Sequence, residues 1–61
     1  MNPYIKTRYK IQEQRHGDWP DIGPTLFHVS VARLKLKDLE RNHPYRDFRI
    51  VKIETIQTTV T

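Results

Sequence analysis

The residues of this chain that could do chemistry are few and scattered. Ser30 is its only serine and cysteine is absent. A nucleophile needs a base within hydrogen-bond reach, and no Ser/His or Cys/His arrangement offers one. His16, His28 and His43 are spaced unlike a metal-binding H-x-x-x-H. His16 reads as a solvated turn residue and His28 as lying near a strand exit. His43 reads as a helix-end residue, where a cation is mildly favoured. Ser30 reads as a helix N-cap, a position serine favours. Asp18 and Asp21 flank Trp19-Pro20 and read as turn and cap residues, not as an acid/base pair. No Gly-rich phosphate loop is present. A chain of 61 residues also struggles to enclose a ligand pocket of the usual ~300 Å³ or more. The sequence therefore predicts no enzyme, no catalytic residue, no metal and no cofactor.

What remains is charge at regular spacing. Lys6, Arg8 and Lys10 alternate with Ile5, Thr7, Tyr9 and Ile11, so in a strand the bases share one face. Joined by Arg15 and by Arg49 or Lys52 of a later strand, they form a candidate nucleic-acid face that would contact phosphates. The competing reading is an ordinary solvated face. Leu34, Lys37 and Arg41 fall together on the outer side of a helix and form a candidate protein-contact face. Its competing reading is a single exposed leucine, which is normal on protein surfaces.

The elements that must position these residues follow from periodicity. Residues 4–14 alternate with period two and read as a half-buried strand. His16-Gly17-Asp18 supplies a turn over 15–18, because glycine tolerates positive φ and Asp can bond its own backbone. Trp19 opens a returning strand over 19–28, and Pro20, with no N–H to donate, marks an edge or a bulge. Gly23-Pro24 reads as the break where the chain leaves the sheet. Trp19 reads as a structural residue folded back onto the core, because one indole is a large share of the apolar area here. An exposed recognition role is the alternative. In residues 29–43, Leu34 and Leu36 alternate with lysine as a strand would. Val29, Ala32, Leu36, Leu39 and His43 nevertheless form one helical stripe, with Asn42 and Pro44 as stop signals, so a helix over 30–42 is predicted. Residues 46–58 read as a strand. Phe48, Ile50 and Ile56 share one parity and Val51 and Ile53 the other, which implies a bulge or a strand covered on both sides.

The order ββαβ makes one domain spanning 1–61, a small two-layer α+β fold with one helix on one face of a three-stranded sheet. The last strand is expected beside the first, with the helix as crossover, right-handed if the two strands run parallel. Its long edge could pair across a two-fold axis into a homodimer.

The net charge of +4, from 11 Lys/Arg against 7 Asp/Glu, and the pI near 9.8 permit a polyanionic partner through counterion release. They also serve solubility alone. A domain this small buries only about 60% of its unfolded surface. The lack of cysteine fits a reducing compartment. The N-terminus shows no signal-peptide pattern, and no apolar run approaches the roughly 20 residues that span a bilayer. The expectation is a soluble, cytoplasmic protein with no membrane partner.

The stretches YKIQEQRHGDWPDIGPTLF and HPYRDFRIVKI, joined by a helix with Ala and Leu on one face, resemble a loose class of small phage- and prophage-encoded accessory proteins. The matching positions are Tyr9, Gly17, Trp19, Gly23, Phe27, Ala32, Leu36, Leu39 and Arg49-Ile50-Val51. The resemblance implies fold-determining roles for these residues, a bacterial host cytoplasm, and binding or inhibition of a host protein. The first half is also similar to the three-stranded DNA-reading sheet of phage integrase arm-binding domains, which set basic strand residues in the major groove. This chain departs from them in its post-helix strand and in Pro20. The sequence thus points to a non-enzymatic binding module, with a host protein favoured and DNA or RNA as the alternative. The nucleic-acid reading requires that Glu13, Asp47 and Glu54 do not interleave with the basic row.

Overall fold

The structure, a computed structural model, describes residues 4–58. Its elements are β1 (Tyr4–Glu13), β2 (Asp21–Leu26), α1 (Val29–Asn42) and β3 (Phe48–Gln57). The sheet is three-stranded, in the order β2-β1-β3, and β1 is antiparallel to both neighbours. The edge strands β2 and β3 are therefore parallel to each other, with α1 crossing over β1 between them. This is the small α+β fold expected, with the last strand beside the first and antiparallel to it.

The hairpin is set by its tip. The backbones of Arg15 and Asp18 exchange both hydrogen bonds, each 2.8 Å. Between them His16 and Gly17 have φ of 51° and 88°, the paired positive values of a type I′ turn, whose twist matches that of the strands. β2 starts at Asp21 instead of 19, because Pro20 cannot donate; its carbonyl instead accepts the Glu13 N–H at 3.2 Å.

Gly23-Pro24 does not end the strand. The register jumps from Ile11↔Ile22 to Tyr9↔Leu26, so Gly23, Pro24 and Thr25 bulge opposite Lys10. Gly23, with φ 74°, supplies the bend, and pairing resumes where Leu26 regains the core face. The chain leaves the sheet only after Leu26.

Ser30 is not the helix cap. The N-cap is His28, in extended conformation and with no side-chain cap bond. Its carbonyl already accepts the Ala32 N–H at 3.1 Å, which leaves Ser30 inside the first turn. The helix ends at Asn42, and the His43 N–H bonds the Leu39 carbonyl at 2.8 Å. Pro44 follows, with no N–H to continue the ladder.

β3 pairs with β1 without interruption from Tyr4↔Gln57 to Glu13↔Phe48. The parity switch at Ile50-Val51 is therefore no bulge. Phe48 and Ile50 face the helix, and Val51 and Ile53 face away from it.

The core is small. Ile11, Leu26 and Ala32 are buried, and Tyr9, Ile22, Leu36, Leu39, Phe48 and Ile50 pack partly against them. Ala32 has no exposed surface, so helix and sheet meet around its methyl group. β2 meets β1 only between Tyr9 and Gln12. Beyond that, Tyr4–Arg8 and Ile53–Gln57 continue as a two-stranded ribbon, and the molecule measures 51 × 25 × 13 Å. On the ribbon's helix side Ile5 and Ile56 are 54% and 67% exposed. Among the described residues no helix is long and apolar enough to cross a membrane.

Candidate nucleic-acid interface

Ile11 and Ile50 point into the core, so the pleat turns Lys6, Arg8, Lys10 and Gln12 of β1 to the opposite face. Their register partners Thr55, Ile53, Val51 and Arg49 join them there. This face has no helix over it. Arg49 Nε donates to Gln12 Oε1 at 2.8 Å, and Gln12 Nε2 donates to Asp21 Oδ1 at 2.9 Å. Lys10 Nζ lies 3.8 Å from Asp21 Oδ2.

Two aromatic rings are built into the same face. The Arg49 guanidinium sits 4.2 Å from the ring centre of Trp19, and that of Arg8 sits 4.4 Å from the ring centre of Phe27. Both rings come from the ends of β2. Trp19 shares the parity of Asp21, which pairs with Gln12 on the open face. Phe27 follows Leu26, which points into the core, and so turns the other way. Trp19 is thus half-buried under Arg49 and lies outside the core, contrary to the structural role expected of it. Phe27, 61% exposed, likewise contributes nothing to the core.

The structure brings Lys6, Arg8, Lys10 and Arg49 together and excludes two expected members. Lys52 pairs opposite Tyr9 and so lies on the helix side. There its Nζ bonds Glu54 Oε1 at 2.9 Å, and that hydrogen bond, followed by the carboxylate charge, raises its pKa against a smaller opposing effect of burial. Arg15 stands at the hairpin tip, bonded through Nε to Glu13 Oε2. Glu13 and Glu54 face the helix side, and Asp47 lies before β3, its carbonyl accepting the Gln14 N–H at 2.9 Å. Of the strand residues, Asp21 is the acid that borders the basic row. Leu34, Lys37 and Arg41 lie exposed on the outer side of α1, with Leu34 65% exposed.

Glu13 is the residue that sequence reasoning missed. It is 2% exposed and accepts bonds from Arg15 Nε and, at 3.1 Å, from Arg46 Nη1. The Arg15 hydrogen bond holds its carboxyl below the ordinary value; burial works against this, and the charges of Arg15 and Arg46 and the Arg46 bond add to it. A carboxylate paired in this way is a poor base. It clamps the hairpin to the connection between α1 and β3, beside an open cleft of about 500 Å³ that Gln14 and His16 also line. The signal was its parity: Glu13 continues the core-facing series Thr7, Tyr9, Ile11.

A second cleft, about 370 Å³, lies between the β2 bulge and α1, with Ile22, Pro24 and Leu39 in its wall and Lys35 and Asp38 beside them. The short chain thus forms open clefts of ligand size, contrary to expectation. Among the described residues no group of His, Asp and Glu is placed to hold a metal ion. The chain matches no protein-family model, no curated protein and no solved structure.

Proposed function

We propose that this protein is a non-enzymatic binding module that takes single-stranded nucleic acid on the open face of its sheet. The observation that carries the reading is segregation: Lys6, Arg8, Lys10 and Arg49 share a face with Trp19 and Phe27, while Glu13 and Glu54 lie on the other. Cations that track a phosphate backbone, set among aromatic rings on which bases stack, are the shared parts of single-strand binding surfaces. Lys6 and Lys10 contact phosphates. Arg8 and Arg49 yield their rings to bases or sandwich them, each stacked base contributing about 1–3 kcal/mol.

An amide NMR titration with a short oligo(dT), at low and at raised salt, tests this. Shifts are expected along 6–12 and 49–53 and at the Trp19 indole. Neutralising phosphates with this cation row gives a slope of log K against log salt near −3, taking about −0.7 per contact. A Lys6→Ala/Arg8→Ala/Lys10→Ala variant should abolish the shifts. No shift even at low salt would contradict the proposal.

A second reading follows the phage-protein resemblance and takes a host protein, in a bacterial cytoplasm, as the partner. Its support is exposed Leu34 between Lys37 and Arg41. It ranks second because a lone surface leucine is ordinary, whereas clustered rings and cations on a bare sheet face are not.

A further inference from the structure

β3 is an edge strand of ten residues. Its outer row of N–H and C=O groups has no partner strand among the described residues, and such a row is a template for strand pairing. We propose that β3 pairs antiparallel with β3 of a second copy of this chain, about a two-fold axis through Ile53. The inference does not depend on the nucleic-acid reading.

The register follows from the sequence FRIVKIETIQ. Centred on Ile53, antiparallel pairing sets Lys52 opposite the partner's Glu54, and Glu54 opposite the partner's Lys52. It also sets Ile50 opposite the partner's Ile56 and Val51 opposite the partner's Thr55. Residues directly opposite share a face, so both helices lie on one side and both open faces on the other. Moving the axis one residue either way opposes Lys52 to Lys52 or Glu54 to Glu54. Directly opposed like charges are destabilising, so the charges select the Ile53 register.

The same register explains the bare ribbon. Ile11 pairs with Ile50 and Ile5 with Ile56 within one chain. In the dimer these join into a row of Ile11, Ile50, the partner's Ile56 and the partner's Ile5. The isoleucines left 54% and 67% exposed in one chain thus line up with the core of the other. A two-stranded ribbon alone is marginal in water; here it becomes the centre of a six-stranded sheet.

The test is sedimentation of the whole chain and of Glu54→Lys and Lys52→Glu, alone and mixed. The wild type is expected as a dimer. Each single variant puts like charges opposite each other twice, which should weaken dimerisation about tenfold or more. Mixing the two variants restores opposite charges at both positions, and a heterodimer should form. Ile53→Cys, the only thiol in a chain without cysteine, should oxidise to a covalent dimer, while Thr55→Cys should not. A wild type that stays monomeric at NMR concentrations would overturn the proposal. So would single variants that dimerise as the wild type does, or cross-linking through residue 55 in preference to 53.

Discussion

The two faces of β1 obey different rules. On the helix side every residue from Tyr9 to Glu13 is accounted for by the fold: Tyr9 and Ile11 pack under α1, and Glu13 is held by two arginines. On the other side Lys6, Arg8 and Lys10 stand in a row that neither packing nor ion pairing requires, apart from the long contact of Lys10 with Asp21. Even the aromatic residues divide this way. Tyr9 and Phe48 serve the core, while Trp19 and Phe27 lie under guanidinium groups on the open face. The lesson is that the face the fold does not explain is where function belongs.

Substitutions break this comparison in order of size. The largest losses belong to the helix side. Ile11→Ala should cost about 2–5 kcal/mol, and Ala32→Leu about 1–3 kcal/mol through overpacking. Urea unfolding measures both. In so small a domain the first should leave much of the chain unfolded.

Glu13→Gln comes next and gives a pH signature. The folded-state carboxyl lies below its ordinary value of 4.5, so the clamp contributes stability that is fully present above that value. This stability is lost as pH falls through the lowered folded value. The wild type should therefore lose stability below about pH 4.5 faster than Glu13→Gln, which starts lower at neutral pH. Urea midpoints across this range check it, and parallel curves would remove Glu13 from the account.

The smallest stability effects belong to the open face. Lys6→Ala/Arg8→Ala/Lys10→Ala should lose no more than about 1 kcal/mol, the scale of an exposed cation–π contact. It should nevertheless lose nucleic-acid binding altogether. A triple variant that unfolds would show that the row is structural after all.

The strands, the turn and the helix were legible because their signals are local: period two in β1, His16-Gly17 at the tip, one apolar stripe in α1. What was not legible depends on register. Whether Arg49 or Lys52 joins the basic row is decided by which of them pairs opposite Gln12, and strand composition does not state that. Gly23-Pro24 resembles a strand end, and only the return of Leu26 to the core makes it a bulge. Trp19 illustrates a wrong inference from scarcity: a small core seems to need its one indole, yet parity with Asp21 sends the ring to the other face. Glu13 was legible in principle, since an acid at a core-facing position needs partners, but Arg46 lies 33 residues away.

The most direct test of the open face uses the chain's own probe. Trp19 is its only tryptophan and lies beside Arg49 on the proposed interface. Titrating the protein with oligo(dT) while recording tryptophan fluorescence should give saturable quenching that weakens steeply with salt and is absent in Lys6→Ala/Arg8→Ala/Lys10→Ala. Fluorescence that stays unchanged at low salt, with the fold intact, would contradict the central claim and return the partner to the host-protein reading on α1.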